Sequence, residues 1–150
     1  MTDKLEILND RLFPVDAPTL FGTFADPDTL KDWWGPHDFT NRIDEFDFRE
    51  GGSWRITMTA SNGTDFDNHS TFQEIVPNSR IVFLHHEPMH VFTMEMTYVA
   101  EDSGTRLHWR MLFEPTDENR ELEKFIRAAN EQNFDRLEAV LAKDEGASAK

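Results

Sequence analysis

The stretch "RIVFLHHEPMHVFTMEMTYVAEDSGTRLHWRMLF" (Arg80–Phe113) decides the fold. Apolar side chains recur at every second position: Ile81 and Phe83, then Phe92, Met94, Met96 and Tyr98, then Leu107, Trp109, Met111 and Phe113. A period of two belongs to strands with one buried face. Glu87-Pro88-Met89 and Glu101-Asp102-Ser103-Gly104 carry turn chemistry, so the spacing predicts strands over Arg80–His86, Val91–Ala100 and Thr105–Phe113. Pairing His86 with Val91 sets Ile81 opposite Met96, Phe83 opposite Met94 and His85 opposite Phe92. Pairing Met96 with Trp109 sets Met94 opposite Met111 and Tyr98 opposite Leu107. A slip of one residue would mix charge into these rows, so the patterning selects this register. The inner face then holds Phe83, His85, Phe92, Met94, Met96, Tyr98, Trp109, Met111 and Phe113.

From His86 the same stretch reads H-E-x-x-H, the pattern of zinc peptidases. That motif works on a helix, where histidines four apart share one face. Here it joins two strands, and Pro88 in its middle would cost a helix about 3 kcal/mol. The match is read as an accident of a histidine-bearing turn, and no metal ligands are assigned. His85 differs. It must face opposite to His86, among Phe83, Phe92 and Phe113, either as a core histidine satisfied by one partner or as a polar anchor in a ligand cavity.

Toward the N-terminus, Phe46 and Phe48 alternate with charge, Trp54, Ile56 and Met58 alternate with polar residues, and a strand spans about Asn68–Val76. Turns fall at Gly51-Gly52, Ser61-Asn62-Gly63 and Pro77-Asn78-Ser79. Ser70 and Asn68 share a face with Phe72 and Trp54 in this register, adding polar groups to any cavity there. Glu45, Glu74 and Glu95 fit solvated sheet positions. Earlier still come a strand within Leu5–Val15, a short helix over Ala17–Phe24, and a second opened by Asp26-Pro27-Asp28 and stopped by Trp33-Trp34-Gly35-Pro36.

Toward the C-terminus the period becomes helical over Asp117–Lys143. Leu122, Phe125, Ile126, Ala129, Leu137, Val140 and Leu141 form one stripe, and a frayed tail covers about 144–150. The whole reads as an α+β fold of one domain, residues 1–150: a curved antiparallel sheet of six to seven strands, two short helices after the first strand, and one long helix covering the apolar face.

Composition narrows the function. Fifteen Lys+Arg against 29 Asp+Glu, a net charge of −14, leave no basic patch for nucleic acid and disfavour anionic membranes. There are no cysteines for thiolate sites or disulfides. The opening MTDKLEILND is too polar for a signal peptide, and no apolar run spans a membrane, so a cytoplasmic protein is expected. No nucleophile elbow, P-loop or dinucleotide fingerprint occurs. The expected partners are neutral small molecules, basic protein surfaces or a second copy of the chain.

Four stretches, "RLFPVDAPTLFGTFADPDTLKDWWGP" (Arg11–Pro36), "FREGGSW" (Phe48–Trp54), "FQEIVPNSRIVF" (Phe72–Phe83) and "SGTRLHW" (Ser103–Trp109), together resemble the family of the activator of the 90-kDa heat-shock protein ATPase, within the START-like or SRPBCC superfamily. The resemblance implies a helix-grip fold with a cavity between the sheet and the last helix. It places Trp33 and Trp34 near the cavity mouth and Trp54, Phe83 and Trp109 along its wall. Two departures stand out: Ser70 where such sequences usually have Gly, and Asn133-Phe134 in place of a Gly-aromatic pair. The favoured expectation is a non-enzymatic binder of an apolar or aromatic molecule, with no cofactor. Its contacts would be Trp34, Trp54, Phe72, Phe83, His85, Met94, Met96, Trp109, Met111 and Phe134. The alternatives are a chaperone-activating interaction module and a cyclase- or hydrolase-like enzyme using His85 as acid/base.

Overall fold

The computed structural model describes residues 4–87 and 91–148. Its elements are β1 (Leu5–Phe13), α1 (Ala17–Ala25), α2 (Pro27–Trp33), β2 (Thr40–Phe46), β3 (Ser53–Thr59), β4 (Asp65–Val76), β5 (Arg80–Glu87), β6 (Phe92–Glu101), β7 (Gly104–Phe113) and α3 (Asp117–Ser148). Tight connections make β2 to β7 a meander, and β1 closes the far edge against β7, giving one sheet ordered β1-β7-β6-β5-β4-β3-β2. All neighbours are antiparallel. The expected rows are present: Ile81 opposite Met96, Phe83 opposite Met94, His85 opposite Phe92, Met96 opposite Trp109, Met94 opposite Met111. β2 starts at Thr40 and ends at Phe46, so Phe48 lies in the following turn rather than in a strand.

The sheet curls because its strands are interrupted. Register shifts fall at Ile43/Glu45 in β2, at Phe72/Glu74 in β4, and where His69 and Ser70 pair with Glu87 and His85, which leaves His86 as the extra residue in β5. Each extra residue bends its strand and increases the local twist. The β2–β3 turn folds back on β4, with Gly51 N–H donating to Phe72 O and Phe72 N–H donating to Gly52 O. A Cβ on Gly52 would stand 2.0 Å from Asp47 O, so only glycine fits.

The short helices begin where capping chemistry dictates. The Asp16 carboxylate accepts from Thr19 N and that of Asp26 from Asp28 N, with prolines in the first turn of each helix. α3 covers the concave face through Asn130, Asn133, Phe134, Leu137 and Leu141, all buried, with Ile126 and Val140 packed against them. Phe125, expected on this stripe, is instead 72% exposed, because the helix is rotated so that Ile126 and Asn130 point inward. α3 also continues to Ser148, past the predicted Lys143 and into the segment expected to fray.

The convex face is charged. Arg110 bridges Glu6 and Glu95, and Arg80 bridges Glu95 and Glu74. No described helix is long and apolar enough to cross a membrane.

Candidate ligand-binding cavity

One row of cross-strand partners creates the site. Trp54 on β3 faces Ser70 on β4, Ser70 faces His85 on β5, and His85 faces Phe92 on β6. A tryptophan and a histidine flank one small serine, which leaves a gap. From α3 the gap meets only Ala129, Asn130 and Asn133. Protein interiors otherwise pack like molecular crystals, so a gap of this kind is a feature of the site. The result is a cavity of 180 Å³. Its walls are Trp34, Trp54, Phe83, Phe92 and Trp109, with Ile56, Met58, Met94 and Met111 between them. A cavity of about 150 Å³ takes up benzene elsewhere, so this one is of single-ring size.

Its polar groups are few and fixed. Asn68 donates through Nδ2 to Phe66 O at 3.0 Å, which turns its Oδ1 to His85 Nε2 at 2.9 Å. In that bond Nε2 donates, because the amide oxygen can only accept. The His85 ring stacks on Phe92 with centroids 4.5 Å apart. Asn130 Nδ2 donates to Asn9 Oδ1 at 3.0 Å and to Met111 Sδ at 3.3 Å. The Ser70 hydroxyl, in a residue 2% exposed, has no hydrogen-bond partner among the described residues. The buried indole N–H groups of Trp54 and Trp109 also lack acceptors.

The segment Trp34-Gly35-Pro36 forms one side, and α3 grips it. Arg136 Nη1 donates to the carbonyls of Trp34, Gly35 and Pro36 at 2.8, 3.1 and 3.1 Å, and Nη2 to Asp32 O at 3.1 Å. Burial lowers the pKa of this guanidinium, the Asp32 charge opposes that shift, and its hydrogen bonds go to carbonyl oxygens. Asn133 donates to Trp33 O at 2.6 Å and accepts from Gly35 N at 3.2 Å. Gly35 takes φ +93°, and a Cβ there would stand 2.5 Å from Met58 Cε.

Of the residues expected at the site, Trp34, Trp54, Phe83, His85, Met94, Trp109 and Met111 line the cavity. Phe72, Met96 and Phe134 do not. Phe72 stacks behind Trp54, Phe134 packs between Phe13 and Trp109, and Met96 is fully buried in the core. Trp33, expected at the mouth, is a core residue 1% exposed, its N–H donating to Thr23 O at 2.9 Å. Sequence reasoning missed Met58, although it continues the alternation of Trp54 and Ile56. It also missed Asn130, whose signal was an amide four residues after Ile126 on the apolar stripe.

In the histidine-rich stretch, His85 is buried and His86 exposed on the other face, its Nε2 lying 2.7 Å from Thr71 Oγ1. Pro88, Met89 and His90 lie outside the described residues. Among the described residues no three His, Cys, Asp or Glu side chains could hold a metal ion. A larger groove of 720 Å³ lies by Lys4, Glu6, Arg110 and Arg120, but its lining is charged, unlike that of the aromatic cavity.

Comparisons with known proteins agree with this architecture. Protein NE0264 of Nitrosomonas europaea is 22% identical with TM-score 0.80, over 93% of this chain and 96% of that one. A protein of Arthrobacter aurescens is 20% identical with TM-score 0.85, over 93% and 87%. Protein CV1439 of Chromobacterium violaceum is 21% identical with TM-score 0.76, over 90% and 95%. At these identities the likeness concerns the fold. No curated protein matches in sequence. The family model described as "Activator of Hsp90 ATPase homolog 1-like protein" matches residues 14–142, and the chain belongs to that family.

Proposed function

We propose that the protein binds a small apolar or aromatic molecule, without transforming it, in the cavity between α3 and the sheet. The observation that carries this reading is the cavity itself: 180 Å³ lined by aromatic and methionine side chains between α3 and the sheet. Ligand sites are typically concave, mostly apolar and equipped with a few placed polar groups, and Asn68, Ser70, His85 and Asn130 supply those here. Methionine walls adapt to irregular ligands. Neither alternative, the chaperone-ATPase activator nor the His85 acid/base enzyme, has an observation of this kind behind it.

Native mass spectrometry of the purified protein tests the reading. An organic adduct that is lost on denaturation and absent from both Met94→Trp and Met111→Trp supports it. An adduct retained in full by both folded variants removes the cavity as its site.

A further inference from the structure

We infer that the molecule held in this cavity carries a hydrogen-bond donor, a ring hydroxyl or N–H, which it presents to Asn130 Oδ1 on α3. The inference rests on the cavity reading above and specifies its ligand.

The cavity wall carries the amide side chains of Asn68, Asn130 and Asn133, and two of them are used at both ends. Asn68 donates to Phe66 O and accepts from His85 Nε2. Asn133 donates to Trp33 O and accepts from Gly35 N. Asn130 is used at one end only. Its Nδ2 donates to Asn9 Oδ1 at 3.0 Å and to Met111 Sδ at 3.3 Å, while its Oδ1 accepts from none of the described residues.

The orientation of that amide is fixed from outside the cavity. Asn9 Nδ2 donates to Arg127 O at 3.1 Å and to Glu131 Oε2 at 2.7 Å, so Asn9 turns its oxygen toward Asn130. An amide oxygen only accepts, so Asn130 must offer its nitrogen there and keep its own oxygen for another partner. Buried polar groups nearly always find one. The partner of an amide oxygen is a donor. This polarity does not depend on Ser70, whose hydroxyl serves in either sense.

Access separates this atom from the other unpartnered ones. Among the described residues, Asn41 Oδ1, Trp54 Nε1, His69 Nε2 and Trp109 Nε1 lack partners and are sealed from solvent. Asn130 Oδ1 is not among the sealed atoms, although its residue is only 8% exposed. The open space beside this residue is the cavity, which it lines together with Ala129 and Asn133. A ring entering that space displaces whatever water serves the oxygen, and a ligand without a donor leaves the acceptor orphaned. Since Asn130 lies against Met111 on β7, the donor is delivered at the α3–β7 side. The ring then lies among Trp34, Phe83 and Trp109, where edge-on and offset contacts are favourable.

The test titrates the whole chain, ¹³C-labelled at its methionine methyl groups, with p-cresol, p-fluorotoluene and γ-picoline at a pH where all three are uncharged. These rings are of similar size; the first carries a donor, the second none, and the third only an acceptor. The signals read are those of Met58, Met94 and Met111 on the cavity wall. p-Cresol should bind about three- to tenfold more tightly than p-fluorotoluene, the range one neutral hydrogen bond supplies. γ-Picoline should bind no more tightly than p-fluorotoluene. Asn130→Leu should abolish the preference for p-cresol while holding p-fluorotoluene affinity within about twofold, and Ser70→Ala should retain the preference. Equal affinity for p-cresol and p-fluorotoluene, or a preference that survives Asn130→Leu, overturns the donor inference and leaves the cavity reading intact. Binding of γ-picoline as tight as that of p-cresol overturns it as well, and the wild-type comparison decides alone if Asn130→Leu does not fold. If none of the three rings shifts the methyl signals, the cavity reading and this inference fall together.

Discussion

Trp33 and Trp54 are equally buried, at 1% and 2% exposed, but they stand in regions built on different terms. Trp33 belongs to the same core cluster as Phe13, Leu20, Phe24, Leu30 and Phe134, each at 0% exposure. Its polar needs are met as well. The Thr23 carbonyl would ordinarily receive the amide of residue 27 in a continuing helix, but that residue is Pro27 and has no N–H. The Trp33 indole supplies the donor instead. Around Trp54 the opposite holds, with a serine among rings, a cavity beside it and donors without acceptors. The same residue type thus closes one region and borders a gap in the other.

Substitutions on the two sides should separate these roles. The largest effect belongs to Phe24→Ala, whose ring packs on the cavity-wall residues Trp34, Trp54 and Phe83 without lining the cavity itself. Its ring is fully buried and lies within 6.4 Å of six other aromatic rings. The expected loss is about 3–5 kcal/mol in urea unfolding. The cavity counterpart, Met94→Ala, removes a side chain that already borders empty space and should cost about 2 kcal/mol, the low end for such truncations. Equal costs would mean that the cavity closes in solution.

Arg136→Ala comes next, because it strips four carbonyls of a partly buried charged donor. A loss of about 2 kcal/mol is expected, with faster amide hydrogen exchange over Trp34–His37. Unchanged exchange there would show that the grip does not hold the segment. The two tryptophans give a smaller, more pointed contrast. Trp33→Phe orphans the Thr23 carbonyl and should cost about 1–3 kcal/mol from that alone. Trp54→Phe removes a donor that has no acceptor and should cost less. A larger loss at Trp54 would reveal a partner for its N–H and remove the contrast.

The smallest effect lies on the convex face. Burial, then the nearby Arg55 and His86 charges, hold the His69 pKa below its ordinary 6.5. The unfolded chain therefore takes up the proton first, and stability falls as pH drops below about 6.5 toward the folded value. His69→Gln should shrink the fall in urea midpoint between about pH 7.5 and about pH 5.5. An undiminished fall would assign the slope to other groups.

How much was legible can be judged from particular residues. The rows Ile81–Met96–Trp109 and Phe83–Met94–Met111 were readable because side-chain alternation and turn position leave one register that keeps charge off the inner face. Phe125 was misplaced because a helical stripe defines a face only to within about one residue's rotation, and packing on the sheet settles the rest. Met96 and Phe134 were assigned to the site because an inward-facing residue can be core or cavity wall, and its strand pattern is the same in both cases.

The sequence by itself determined the antiparallel meander, the two short helices with the Asp26 cap of the second, and the face on which His85 would lie. These depend on neighbours at fixed short spacings, where backbone geometry leaves few choices. Only the tertiary structure decided that Ser70 on β4 would meet Ala129, Asn130 and Asn133 on α3, and that the space between them would stay open. A cavity is defined by what distant segments fail to fill. That failure becomes visible only when the helix has been set on the sheet, and the donors of Trp54 and Trp109 have been left facing no acceptor.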